Sequence, residues 1–208
     1  MVGNGEKWLA WAREIQAIGQ TGLHFNTNEF DQERYRRLIE ISADIFQEYT
    51  GVARDDLVNL YLAQSGYATP KVDVRAAIFR DRKLLLVQER TDEGWSMPGG
   101  WADVNEAPST AAVREVWEES GFRVRPVKLV GVFEANHDRP PIQVFHAFKI
   151  VFLCDLVGGE ARVSSETTAV AFFPQDEIPV LSVERTPLRV IEEAYAHLYD
   201  PARPTAFE

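Results

Sequence analysis

Three glutamates, Glu115, Glu118 and Glu119, stand at spacings of three and four within the stretch Gly100-Trp-Ala-Asp-Val-Asn-Glu106-Ala-Pro-Ser-Thr-Ala-Ala-Val-Arg114-Glu115-Val-Trp-Glu118-Glu119-Ser-Gly121-Phe122. On a helix that turns about 100° per residue they share one face. Like charges at these spacings repel and weaken a helix, so stability alone gives no reason for them. A divalent cation removes the conflict, because hard ions such as Mg²⁺ favour carboxylate oxygens. The bland alternative is a solvated acidic face. The other side of the same helix is apolar: Ala112, Val113 and Val116, with Trp117 at the margin, are expected to face a sheet. Arg114 precedes the first glutamate, and Glu106 lies on the preceding loop. An Arg114–Glu106 pair would fix that loop against the helix. Arg114 would also orient a metal-binding carboxylate, as groups behind metal ligands do.

The stretch resembles the Nudix box, G-x5-E-x7-R-E-U-x-E-E-x-G-U with U apolar, at every defined position: Gly100, Glu106, Arg114, Glu115, Val116, Glu118, Glu119, Gly121 and Phe122. The lead-in Leu84-Leu-Leu-Val-Gln-Glu89 and the loop Trp95-Ser-Met-Pro-Gly-Gly100 are similar to the strand and loop that precede the box in that family. The N-terminal segment, GYATPKVDVRAAIF, GGWADV, Ser165-Glu166-Thr167 and Phe172-Phe173 resemble the subgroup that contains CDP-choline pyrophosphatase. The resemblance implies that Glu115, Glu118 and Glu119 bind Mg²⁺ or Mn²⁺, with the Gly100 carbonyl as a further ligand. It implies hydrolysis of a pyrophosphate bond in a nucleoside diphosphate derivative, with the metal neutralising phosphate charge as water attacks phosphorus. A carboxylate must position or deprotonate that water. Glu166, in the loop-like SSETT segment, is the candidate, beside the bland reading of a surface carboxylate. Arg75, Gln88, Arg90, Trp101 and His137 are candidate substrate contacts. Beyond the metal, no cofactor-binding residue is assigned.

The elements that must position these groups follow from periodicity. The first ~66 residues read as helix, with Trp8, Trp11, Ile15 and Ile18 forming one stripe and Tyr35, Leu38, Ile39, Ile45, Phe46 and Tyr49 another. Gly51 suits a C-cap, and a third helix is expected over 55–64. Ser65 to Pro70 is punctuated by Gly and Pro and marks a boundary. Strands are expected from Val72 to Phe79 and Leu84 to Val87, joined by a turn at Asp81-Arg82. A helix follows from Pro108 to Ser120, ended by Gly121. Further strands cover 124–133, 144–154 and 169–173. The last helix starts at Pro187, with Thr186 as its N-cap and Leu188, Ile191, Tyr195 and Leu198 as its buried stripe. The expected fold is α/β, a Nudix-type α/β/α sandwich with a mixed sheet over 67–208, preceded by a small all-helical domain over 1–66.

Composition is consistent with this. Hydrophobic residues make up 45% and charged residues 26% of 208 residues, an ordinary globular mixture. The single cysteine, Cys154, excludes an internal disulfide, and a reducing, cytoplasmic home is the expectation. No apolar run approaches the roughly 20 residues of a membrane span. A net charge of -10 weighs against general nucleic-acid binding. The sign of the charge does not identify a substrate; the resemblance implies a small nucleoside diphosphate derivative as the partner. Large apolar residues on the N-terminal helices, Trp8, Trp11, Phe30, Phe46 and Tyr49, point to a homodimer interface. Within the expected class CDP-choline leads and ADP-ribose competes. Two rival functions stay open, a non-catalytic ligand-binding module with a Nudix fold and RNA-end processing. A choline head would favour Trp95, Trp101, Phe133 or Phe145, with Asp103 and Glu134 as anionic partners; a sugar end would favour Arg75 or Arg90.

Overall fold

The structure is a computed structural model that describes residues 7–135 and 144–208. The chain divides into two compact units, 1–70 with Val144–His146, and 71–143 with 147–208.

In the first unit, α1 (Lys7–Phe25) and α2 (Glu29–Thr50) pack along each other, and α3 (Arg54–Leu62) follows. Asn28 caps α2 by accepting from the Phe30 and Asp31 amides, and Gly51 ends it in the left-handed region. The closest approach of α1 to α2 is made by small residues. Ser42 Oγ donates to the Ala12 carbonyl at 2.7 Å, and Gly19 lies directly against Ile39. The buried face of α1 is therefore Leu9, Ala12, Gln16, Gly19 and Gln20. This corrects the expected Trp8–Trp11–Ile15–Ile18 stripe in part: Trp8 packs on Phe46 and Tyr49 of α2, whereas close approach elsewhere selects small side chains and leaves Trp11 58% and Ile18 49% exposed.

The second unit is a mixed sheet with a helix on each face. Strands β1 (Lys71–Arg80), β2 (Lys83–Glu89), β3 (Trp95–Ser96), β4 (Phe122–Glu134), β5 (Ala147–Gly159), β6 (Thr167–Phe173) and β7 (Ala206–Phe207) run in the order β3-β2-β1-β5-β4-β7, with β6 on β2. β1 is parallel to β5 from Lys71 to Ile78 and turns into β2 at Asp81-Arg82. Both turn residues have positive φ, 52° and 61°, as a two-residue type I′ hairpin requires. Both faces of β1 are covered, so residues 73–78 are all buried. α4 (Pro108–Ser120) packs Ala111 and Ala112 on Val74, and Val116 lies in the cluster of Ala76 and Ile78. α5 (Leu188–Tyr199) packs Val190, Ile191, Ala194 and Tyr195 on Ala77, Leu84 and Leu86.

Two end effects differ from expectation. Pro187, not Thr186, occupies the N-cap position of α5. The Thr186 hydroxyl is used elsewhere, accepting from the Met97 amide at 3.0 Å. Trp117 does not join the sheet contact. It lies on the outer flank of α4, with the Arg123 and Arg162 guanidiniums 5.1 and 4.8 Å from its ring, an arrangement that cation–π attraction favours. No helix among the described residues is long and apolar enough to cross a membrane.

Candidate active site

Burial of Ala112 and Val116 fixes the rotation of α4, and that rotation decides where each acidic side chain goes. Glu119, three residues beyond Val116, follows the buried face and is 5% exposed. Its Oε2 accepts from the Gly99 amide at 2.9 Å. Glu115 is half-buried against Gly100, where an added Cβ would stand 3.0 Å from Glu115 Oε1. Glu118 points outward. Arg114 ties the set together: it donates to Glu106 at 3.0–3.2 Å, to Glu115 at 2.8 Å and to Glu118 at 3.1 Å. The hydrogen bonds from Arg114 hold Glu106 below the usual carboxylate range.

The Met97–Trp101 segment is held against β1 in ladder fashion. Val74 donates to the Gly100 carbonyl at 2.8 Å and Ala76 to Pro98 at 3.0 Å. Below it lies a buried charge cluster. Arg75 donates to both Asp73 oxygens at 2.9 and 2.7 Å and to the Met97 carbonyl at 3.2 Å. Lys149 Nζ, on β5, reaches Asp73 at 3.4 Å. Burial pushes the Lys149 amine down to about 8 against the pull of Asp73.

Asp73, Arg75, Gly99, Gly100, Arg114 and the three glutamates of α4 line one cleft of about 460 Å³ with Trp101 and Asp103. Glu89, Glu166, Glu184 and Arg185 join them there, so that eight carboxylates face three guanidiniums. Burial raises Glu119 to about 8, against the opposing effects of Arg75 and the Gly99 amide; burial also raises Glu115, against Arg114. Among the described residues no three His, Cys, Asp or Glu side chains are gathered into a ready metal cage. Arg114 stands on two of the carboxylates, and Glu119 is turned to Gly99. The donor set nevertheless fits a hard divalent cation: it consists of carboxylate oxygens, they are in excess, and two are costly to ionise without a nearby positive charge.

Comparison with known proteins agrees with this geometry. A profile described as "NUDIX domain" matches residues 69–194. The chain belongs to the Nudix family. A second profile, described as "UDP-X-like, N-terminal oligomerisation domain", matches residues 6–61. A Bacillus subtilis (strain 168) protein named "Putative ADP-ribose pyrophosphatase YjhB" is 37% identical over 202 residues, 97% of each chain. A crystal structure of an ADP-ribose pyrophosphatase from Streptococcus suis 89-1591 is 36% identical, covers 67% of this chain and all of its own, and superposes with a TM-score of 0.62. A crystal structure of a UDP-X diphosphatase is 30% identical over 98% of each chain, with a TM-score of 0.62. This Nudix protein is a pyrophosphohydrolase, and Nudix hydrolases generally use divalent metal ions.

The residues singled out from sequence fall into two groups on the Nudix scaffold. Glu115, Glu118, Glu119, Gly100, Arg114, Trp101, Arg75 and Glu166 all line the cleft, with Glu106 behind Arg114. Arg75 is there but committed, since each of its three nitrogens already donates within the protein. Gln88 and Arg90 are not cleft residues. Gln88 bonds the Glu93 carbonyl and Thr168, and Arg90 supports the loop before β6 through the Ser165 carbonyl at 2.9 Å. His137 lies outside the described residues. Of the aromatic candidates for a cationic head only Trp101 reaches the cleft. Phe133 is in the core, Trp95 packs on Phe173, and Phe145 packs on Tyr61 of the helical unit. Sequence reasoning missed Asp73, Glu89, Glu184 and Arg185 as cleft residues. No local spacing signals them, because they arrive from three separate places, Asp73 from β1, Glu89 from β2, and Glu184 with Arg185 from the turn before α5.

The raised Glu119 carboxyl has a measurable consequence. Its folded value, about 8, lies above its ordinary 4.5, so the folded chain binds this proton more tightly than the unfolded chain. The resulting stability is full below pH 4.5 and is lost as pH rises toward 8. Without metal, the melting temperature is expected to fall between pH 5 and 8 by on the order of 5 °C. Millimolar Mg²⁺ should restore most of that loss at pH 8 and little at pH 5. Glu119→Gln should flatten the metal-free profile. Parallel profiles for the two chains would contradict the assignment.

Proposed function

We propose that the chain hydrolyses the pyrophosphate bond of a nucleoside diphosphate linked to a second group, with CDP-choline, cut to CMP and phosphocholine, as its substrate. The observation that carries the class is the cleft itself, where the acidic face of the box helix meets Gly99-Gly100 among further carboxylates. In this reading Glu115, Glu118 and Glu119 hold Mg²⁺ or Mn²⁺, with the Gly100 carbonyl beside them. The bound cation supplies charge neutralisation for the phosphate oxygens and lowers the cost of generating hydroxide. Arg114 positions Glu115 and Glu118 from behind. Glu166, exposed at the cleft rim, accepts the proton of the attacking water. Trp101, 48% exposed at the cleft and near Asp103 in sequence, offers a quaternary ammonium an aromatic face and a negative partner. The excess of carboxylates favours a cationic group over an anionic one.

A second reading has its own support. Two relatives carry the name ADP-ribose pyrophosphatase, and a sugar end needs no aromatic cage. Specificity constants for CDP-choline, ADP-ribose and UDP-linked compounds with Mg²⁺ decide between them. A tenfold preference for ADP-ribose, about 1.4 kcal/mol in the transition state, overturns the CDP-choline assignment and leaves the pyrophosphohydrolase intact.

The helical unit is proposed to pair two chains. Its exposed Trp11, Phe30 and Tyr49 and the oligomerisation description of residues 6–61 support a two-fold dimer. Light scattering at micromolar concentration is expected to give twice the 23.6 kDa of one chain; a monomer mass contradicts the pairing.

A further inference from the structure

Three guanidiniums line the cleft, and they differ in what remains of their donors. Arg75 spends all three nitrogens on Asp73 and Met97. Arg114 spends all three on Glu106, Glu115 and Glu118. Arg185 donates one long hydrogen bond, 3.4 Å to Ser182 Oγ. Its other neighbours are carboxylates at ion-pair distance, Glu89 at 3.3 Å and Asp92 at 3.8 Å.

The turn that carries Arg185 is rigidly seated. Ser182 donates its amide to the Trp95 carbonyl at 2.9 Å and its hydroxyl to Asp92 at 2.8 Å. Arg185 and Thr186 both donate back to the Ser182 carbonyl, closing the turn. Thr186 is fully buried and accepts from Met97, so the turn is tied to the same loop that carries Gly99 and Gly100. Glu89 is fixed in turn, 4% exposed, with the Ser96 hydroxyl donating to it at 2.6 Å. Arg185 is thus a cation held in place from one side, with unspent donors, in a cleft otherwise dominated by carboxylates.

We propose that Arg185 grips the diphosphate of the substrate, its planar fork donating to phosphate oxygens in the same cleft as the box carboxylates. A guanidinium matches two phosphate oxygens at once, and charge-assisted bonds of this type are stronger than neutral ones. The grip supplies cationic recognition that Arg75 and Arg114, each engaged within the protein through all three nitrogens, are not free to turn toward a ligand. It rests on the pyrophosphohydrolase reading but not on which nucleotide or which second group is used. The diphosphate is common to all of them.

The test uses methylenediphosphonate, a diphosphate that cannot be hydrolysed at its bridge, titrated calorimetrically into the full chain with Mg²⁺. Arg185→Gln is expected to weaken its binding at least tenfold, and Arg185→Lys to weaken it less, since the charge stays but the fork is lost. With the best turned-over substrate, Arg185→Gln should raise KM at least tenfold and change kcat less than threefold, the pattern of a contact made equally in the ground and transition states. A merely structural role would lower the melting temperature and leave the diphosphonate affinity of the folded fraction unchanged. Equal affinity in wild type and Arg185→Gln, or no binding by wild type, overturns the proposal. If Arg185→Gln does not fold, the Lys variant decides: affinity equal to wild type then counts against the grip. Absence of turnover on every nucleoside diphosphate derivative, with diphosphonate binding still dependent on Arg185, would instead remove the proposed reaction and keep the site.

Discussion

Glu119→Gln lowers turnover by about 10³-fold at saturating Mg²⁺ while the chain stays folded. The magnitude is that of losing a metal-held charge worth several kcal/mol in the transition state. The fold survives because glutamine keeps the shape and an amide oxygen that accepts from the Gly99 amide, the contact that Glu119 Oε2 makes at 2.9 Å. What disappears is an oxygen able to carry negative charge. Initial rates across a Mg²⁺ titration, with melting temperature as the control for folding, measure the effect. A variant that keeps more than a tenth of wild-type kcat contradicts the ligand role of Glu119.

Gly99→Ala is expected to cost about 3 kcal/mol or more of stability, by addition of backbone strain and overpacking. Gly99 sits at φ +148°, and a Cβ there would stand 2.0 Å from the Val74 carbonyl oxygen. That oxygen belongs to the central strand and cannot move aside without disturbing β1. The same shift would carry the Gly99 amide away from Glu119 and Gly100 away from Glu115, so activity falls with stability. Gly158→Ala on β5, where an added Cβ meets nothing within 4 Å, is the control and should change stability by less than about 0.5 kcal/mol. Urea midpoints of the two variants give the comparison, and equal midpoints would refute the tight seating of the loop on β1.

The parts of the fold that could be read from sequence are those set by local rules. Pro108 and Gly121 bound α4 because one fits a helix start and the other adopts a left-handed φ of 75° at its end. The Asp81-Arg82 turn is visible because apolar runs flank it at hairpin distance. The shared face of Glu115, Glu118 and Glu119 follows from the helical period alone. How deep each lies does not. Glu119 is buried and Glu118 exposed because Ala112 and Val116 choose the rotation of the helix against β1, a tertiary fact. The same limit explains the aromatic candidates. Phe133 and Trp95 are as compatible with a cleft as with a core until the sheet closes over them. Arg185 and Glu89 meet across nearly a hundred residues of chain, and no spacing rule connects them. The stripe on α1 held at Trp8 and failed at Trp11 and Ile18 for a related reason, since close approach to α2 rewards small side chains that a hydrophobic period does not weight.

Cleavage of a phosphoanhydride bond in this cleft with a divalent cation is open to a direct experiment. Its most direct measurement is product analysis in ¹⁸O-labelled water, with the chain, Mg²⁺ and a set of nucleoside diphosphate derivatives, repeated in excess EDTA. Expected are a nucleoside monophosphate and the phosphorylated partner group in equal amounts, ¹⁸O in a phosphate oxygen of one of them, and loss of all but background turnover in EDTA. Undiminished turnover in EDTA, or release of inorganic phosphate or of the unphosphorylated partner group as the primary product, would contradict it.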